Sequence, residues 1–341
     1  MSNNENLKKL FIDRYKHEKV NKKILYIHIP YCISKCKFCG CQSIVAKNAA
    51  EIDNFATLYL PEQIKEYFEL LELVSFEQVY FGGGSPNLIQ SEKMERILNL
   101  IPNFESIPIK CIECVPHLLS ESYLKMLRKY KFTFISLGIQ SLQEQVCKWQ
   151  NRFYMTKERL LNLSMLLEES GIYFNYDLIC YLGKGDIRDI PAFKQDLVFI
   201  MKYCRPTSIT IQQNNNTFFS ETKTLYLMRV IKDCLTRYPE YECINALLND
   251  EDIVNDTMYQ AEYRLVRKNR QFSHYMWNKY PQIPVKGFDI LSLGYMNGVY
   301  TKSNVNNIVY NPAKGAFKIK EFEEPLYEEC EHIKYLKGLN K

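Results

Sequence analysis

The chain has 341 residues, 46% of them hydrophobic and 24% charged, with a net charge of +5. That length can bury a large core, enough for one large domain with a smaller appendage, and the charge is spread without the basic tract that a dedicated nucleic-acid surface would need. No apolar run approaches a membrane span and residues 1–6 lack an apolar signal region, so the expectation is a cytoplasmic enzyme whose twelve cysteines stay reduced and available to metal.

Residues 1–23 are polar and charged and read as an N-terminal arm, helical in part. An apolar, β-favouring run from Ile24 to Ile29 is then stopped by Pro30, and Cys32, Cys36, Cys39 and Cys41 follow within ten positions. This is a buried strand running into a thiolate-rich loop. The Cys-x3-Cys-x2-Cys spacing supplies three soft ligands, which suits a [4Fe–4S] cluster with one iron left open. A structural zinc site would want four ligands, usually as two separated Cys-x2-Cys pairs. Cys41 as the fourth would crowd one metal, and no second pair appears downstream.

From Ile24 onward strands and helices alternate. Strands are predicted at 24–29, 77–81, 107–114, 132–138, 172–179 and 207–212, and helices at 53–73, 91–100, 120–130, 157–170 and 190–203. Such alternation means a parallel sheet with right-handed crossovers. Six units fit an open, partial (β/α)6 barrel at least as well as a doubly wound sheet, and in a barrel chemistry gathers at the C-terminal ends of the strands. The predicted domains are residues 24–215 for the barrel and 216–341 for a mixed α/β segment that shapes the substrate pocket. Within that segment helices are expected at 221–237 and 251–267, followed by His274, Trp277 and the stretch Phe288 to Gly298.

The strand ends carry the informative residues. Gly82, Gly83 and Gly84 after the second strand either let the backbone approach a charged ligand closely or form only a tight turn. In the first case a Cβ there would stand between backbone and ligand or forbid the required φ. Glu113 at the third strand tip is either a ligand contact or a solvated loop acid. Gln140 ends the fourth strand and Arg152 follows in the next connection. Asp177 interrupts an apolar run and needs a partner if buried, either a ligand or a basic residue such as Arg152.

Taken together these motifs resemble one branch of the radical S-adenosylmethionine (SAM) superfamily, that of oxygen-independent coproporphyrinogen III oxidase and its relatives. The resemblance rests on Tyr26-x-His-Ile-Pro-Tyr-Cys32, the aromatic Phe38 before Cys39, Cys39-Gly-Cys41, Gly82-Gly-Gly-Ser-Pro86, Ile112-Glu-x-x-Pro116, Gly138-Ile-Gln140, Asn151-Arg152 and Asp177-Leu-Ile. It implies that Cys32, Cys36 and Cys39 bind the cluster. Tyr26, Gly83, Gly84, Glu113, Gln140, Arg152 and Asp177 would contact SAM, with Phe38 and Gly82 in the same site and Tyr26 and Glu113 also serving catalysis. It further implies reductive cleavage of SAM to a 5′-deoxyadenosyl radical, a small-molecule substrate and a one-electron donor such as flavodoxin or ferredoxin. Some relatives hold a second SAM as a methyl or methylene donor. Departures at Val115, His117 and Tyr181 to Gly185 change the pocket wall. The resemblance leaves Cys41 as a cap on the loop, a thiol backing the cluster or a methyl carrier. Oxidative decarboxylation of coproporphyrinogen III, or non-catalytic binding of haem or a cluster, stand as alternatives.

Overall fold

The computed structural model describes residues 9, 12–13, 15–17, 22–41, 43–214, 221–244, 262–270, 288–294, 296–300, 305–311 and 316–322. His274, Trp277, residues 251–261 and most of the arm 1–23 lie outside them. The six predicted parallel strands all form, as β1 (Lys22–Ile29), β4 (Gln78–Gly83), β5 (Ile109–Cys114), β6 (Phe134–Gln140), β7 (Tyr173–Cys180) and β8 (Ser208–Gln213), hydrogen-bonded in that order. Between β1 and β4 the chain makes a two-residue pair, β2 (Tyr31–Cys32) with β3 (Ile44–Val45). The sheet is open rather than closed on itself, and it continues past both ends of the six-strand run.

At one end β11 (Phe288–Gly294) pairs with β1 in parallel, Ile24 opposite Ile290 and His28 opposite Gly294. It is a seventh parallel strand, separated from β1 by more than two hundred residues. At the other end β10 (Glu262–Arg267) runs antiparallel to β8 and pairs with β9 (Tyr241–Cys243). This corrects the predicted helix at 251–267, of which residues 262–267 are strand. Their alternating Tyr263, Leu265 and Arg264, Val266 suit a strand whose two faces are both covered. Beyond β11 the sheet ends in β12 (Met296–Tyr300), β13 (Val305–Asn311) and β14 (Ala316–Phe322).

Successive strand residues point to opposite faces, and the two faces differ here. Leu25, Ile27, Val79, Phe81, Ile112, Ile135 and Leu178 point outward and are fully buried under the crossover helices. The helix Ser91–Leu100 answers with Met94, Ile97 and Leu98, and the helix Lys157–Ser170 with Leu160, Leu163 and Leu167. Each side chain of this size contributes about 2 kcal/mol by leaving water. The inward face holds only a small apolar group of Ile24, Tyr26, Tyr80, Cys111, Phe134 and Ile290. Toward the C-terminal ends of the strands the same face turns polar, and the candidate site lies there. Among the described residues no helix is long and apolar enough to cross a membrane.

Candidate active site

The cysteine loop is closed at its base before any ligand is considered. Ile44 N donates to Pro30 O at 2.8 Å and Ala46 N to Cys32 O at 3.0 Å. Within the loop the Lys35 ammonium reaches back to Cys41 O (2.7 Å) and Ser43 Oγ (2.9 Å), so a residue that reads as a solvated charge acts as an internal tie. Cys36 is buried, whereas Cys32, Cys39 and Cys41 are half-buried.

The glycine run packs against the start of the cysteine loop. Gly84 N donates to Ile29 O (2.7 Å) and Ser85 N to Tyr31 O (2.8 Å), so β4 runs on past its last paired residue to dock the start of the cysteine loop. A Cβ on Gly84 would stand 2.5 Å from Tyr31 O and 2.8 Å from Pro30 O. Gly83 has φ +106°, which side-chain-bearing residues rarely adopt, and its Cβ would meet Ile29 O at 2.7 Å. Gly83 thus needs its φ, as expected, and at both positions a side chain would meet backbone at the start of the cysteine loop. Ser85 Oγ also lies 3.6 Å from Cys32 Sγ.

One cavity gathers most of the predicted residues. Cys32, Cys36, Cys39, Phe38, Gly83, Gly84, Glu113, Gln140, Arg152 and Asp177 all line it. Tyr26 and Gly82 lie outside this lining: Tyr26 is buried in the small inner apolar group, its Oη 3.2 Å from His28 Nδ1, and Gly82 sits against its ring. Glu113 is held at the β5 tip by the Tyr80 hydroxyl at 2.9 Å. Gln140 takes φ +69° where the β6–β7 register slips, and its buried Oε1 has no protein partner among the described residues.

Arg152 does not pair with Asp177. Its guanidinium donates to Gly138 O and approaches Cys36 Sγ at 3.8 Å. Asp177 instead accepts from Ser136 Oγ (3.1 Å) and Asn175 Nδ2 (3.0 Å). Asn175 Oδ1 in turn accepts from Ser208 Oγ and Thr210 Oγ1 (2.9 and 3.1 Å). On the far wall Glu262 accepts from Gln212 Nε2 (2.9 Å) and Arg264 Nη2 (3.0 Å). Ser136, Asn175, Thr210, Gln212, Glu262 and Arg264 were missed from the sequence. For Asn175, Thr210 and Gln212 the signal was the period-two alternation of polar with apolar residues in Asn175-Tyr-Asp-Leu and Ser208-Ile-Thr-Ile-Gln, which marks one wet face of a strand.

The electrostatics of the loop are uneven. Burial pushes the Cys32 thiol up, with Ser85 and Ser43 working against it. The Cys39 thiol is brought down to about 6, chiefly by a hydrogen bond from Cys41, with Lys35 and Arg152 adding to it against burial. Burial, then Arg152 and Arg159, holds His117 down to about 4, and its ring stacks on Phe153 with centroids 3.8 Å apart. Among the described residues no three His, Cys, Asp or Glu side chains close on a point that could hold a single metal ion. The thiols instead line a shared space, and a four-iron cluster takes each thiolate on a different iron.

The family model of the radical SAM superfamily matches residues 26–196. The chain is 35% identical over 136 residues to an oxygen-independent coproporphyrinogen III oxidase from Synechocystis sp., covering 38% of this chain and 28% of that protein. It is 26% identical over 192 residues to the haem chaperone HemW of Buchnera aphidicola, covering 55% of this chain and 50% of that one. The chain thus spans half or less of these relatives' lengths. The crystal structure of coproporphyrinogen III oxidase (HemN) from Escherichia coli superposes with a TM-score of 0.71 at 18% identity, over 98% of this chain and 82% of that one, which is a likeness of fold. With strand order and cysteine loop in agreement with the family match, the chain belongs to the radical SAM superfamily, and within it is similar to HemN-like members.

Proposed function

We propose that this protein is a radical SAM enzyme that cleaves SAM reductively at a [4Fe–4S] cluster and modifies a small molecule. The observation that supports the reading is the convergence of three loop thiols with Glu113, Gln140 and Asp177 on one cavity. The residues present fit the cofactors. Cys32, Cys36 and Cys39 are the soft donors a cluster takes, and Arg152 Nη1 stands 3.8 Å from Cys36 Sγ. Gln140 Oε1 is a buried acceptor awaiting a donor, which costs free energy if left unmet. Gly84 has committed its N–H to Ile29, so the glycine run has its carbonyls to offer the ammonium of a methionine moiety. Asp177 and Glu113 are acceptors for ribose hydroxyls. When bound, these cofactors supply one-electron cleavage of the sulfonium to methionine and a 5′-deoxyadenosyl radical, which takes hydrogen from substrate.

The cavity wall bears on the substrate. Its described cations, Lys35 and Arg152, are both tied to the protein, and Glu113, Asp177 and Glu262 are acids on the same lining. Among the described lining residues a tetracarboxylate such as coproporphyrinogen would meet these three acids and two already engaged cations. We therefore favour a smaller, less anionic substrate, with a second SAM as one-carbon donor, and assign residues 216–341 to shaping its pocket. Anaerobic incubation with methyl-labelled SAM and dithionite is expected to give 5′-deoxyadenosine, S-adenosylhomocysteine and label in the product. Conversion of coproporphyrinogen III to protoporphyrinogen IX with release of carbon dioxide would establish decarboxylation instead. Haem binding with no 5′-deoxyadenosine would leave a binding protein.

A further inference from the structure

Gln140 ends β6 in a conformation that needs holding. Ser141 N donates to Ile139 O at 2.9 Å, which with φ +69° at Gln140 makes a tight three-residue turn of the strained hand. Such a turn persists only where its surroundings fix it. The Gln140 amide folds back over Gly138, where a Cβ would meet its Nε2 at 2.8 Å. What fixes the turn lies off the cavity lining. Asp196, in the helix Ile190–Phe199, is 1% exposed. One of its carboxylate oxygens accepts from Ser141 Oγ (3.1 Å) and Leu142 N (2.8 Å), the other from Gln143 Nε2 (2.6 Å). Ser141 Oγ accepts in turn from Gln143 N at 3.1 Å. A single carboxylate thus holds the three residues that follow Gln140. Burial pushes its carboxyl up, and the donors from Leu142, Gln143 and Ser141 work against that. An apolar side chain would fill the same space without the cost of burying a charge, but it would not grip the turn.

We propose that Asp196 is a positioning residue for SAM, holding the Gln140 amide in the cavity through the turn Ser141–Gln143. The inference rests on the radical SAM reading, in which Gln140 Oε1 accepts a hydrogen bond from bound SAM. With the turn released, Gln140 relaxes out of its positive φ and its amide swings away from Gly138. The turn also leads into the helix Glu144–Trp149, where Cys147 Sγ donates to Ser141 O at 3.3 Å. That second tie keeps the chain threaded when Asp196 is lost, so the effect falls on the amide rather than on the fold.

The test uses the reconstituted holoenzyme without reductant, so that SAM binds uncleaved. Its dissociation constant is measured by anaerobic equilibrium dialysis with methyl-labelled SAM. Asp196→Ala and Gln140→Ala are each expected to weaken SAM about tenfold. The double variant should bind no more weakly than either single one, because the two residues act as a unit. Asp196→Asn should recover most of the loss: its amide oxygen keeps Ser141 and Leu142, and a turned-over Gln143 amide accepts from its Nδ2. Amide exchange across residues 140–147, followed by mass spectrometry, should quicken in Asp196→Ala and not in Asp196→Asn. Parent-like affinity or unchanged exchange in Asp196→Ala would overturn the proposal. So would a double variant in which the two single losses multiply, since Asp196 would then be a structural residue independent of Gln140. If Asp196→Ala gives no folded protein, Ser141→Ala combined with Gln143→Ala strips two of the three donors, and coupling to Gln140→Ala is read there instead. A parent that binds no SAM while exchange still answers to Asp196→Ala would uphold the anchor and sink the radical SAM reading alone.

Discussion

Gly84 illustrates how a residue can be legible in the sequence while its reason is not. The glycine run reaches the cavity, but the atoms Gly84 must avoid are the carbonyls of Pro30 and Tyr31, which only the fold brings near. Gly84→Ala should therefore displace the cysteine loop as well as weaken SAM binding. Iron content after anaerobic reconstitution is expected to fall with SAM cleavage, whereas normal iron with lost cleavage would place the Cβ against the ligand. Cys32→Ala, Cys36→Ala and Cys39→Ala should each lose the cluster, and Cys41→Ala should keep it; iron and sulfide analysis checks both. His117 makes a third prediction. Its folded-state pKa is depressed to about 4, so the unfolded chain takes the proton first. The native state then loses stability as pH falls from about 6.5 toward 4. Proton NMR of the imidazole should give a midpoint near 4, and one near 6.5 would mean that the stack on Phe153 leaves the ring open to water.

At the level of elements, the site stands on strands and short ties more than on helices. Gln63, in the helix Leu60–Glu66, reaches β11 with both amide atoms: Nε2 donates to Gly294 O (3.2 Å) and Oε1 accepts from Gly294 N (2.5 Å). Both partners are buried, so Gln63→Ala leaves a donor and an acceptor unmet and should cost about 2 kcal/mol, read as a lower denaturant midpoint. The helices were legible because their apolar faces repeat at helical spacing, as in Ser91–Leu100 and Lys157–Ser170. The inner polar wall was not, because Ser136, Asn175, Ser208 and Thr210 are small or amide side chains that ordinarily read as loop residues. Their hydrogen bonds to one another, which make burial affordable, run between different strands.

Across the whole molecule, the six central strands followed from strand–helix alternation, and the two edges did not. Past residue 216 the alternation lapses, so nothing local announces that Phe288–Gly294 will lie beside the first strand or that Glu262–Arg267 will face Glu113 and Asp177 across a cavity. Sequence pattern fixes an element's type; its neighbour over more than two hundred residues is set by the fold. Deleting residues 288–341 should expose the apolar edge of β1, whose Ile24, Leu25 and Ile27 are fully buried. Such an unpaired edge invites association, and size-exclusion chromatography should show aggregate in place of the parent species.

The β1–β11 seam also has a consequence in time. The strand β1, which leads into the cysteine loop, is made well before its neighbour β11, which emerges only after residues 30–287 have been translated. At ordinary rates of synthesis that interval is on the order of ten seconds or longer. Throughout it, the segment bearing Cys32, Cys36 and Cys39 waits on the ribosome with one flank unzipped. A growing chain in that state has to be shielded from its neighbours on the polysome, and assembly of the thiol pocket is finished only when the codons for β11 have been read.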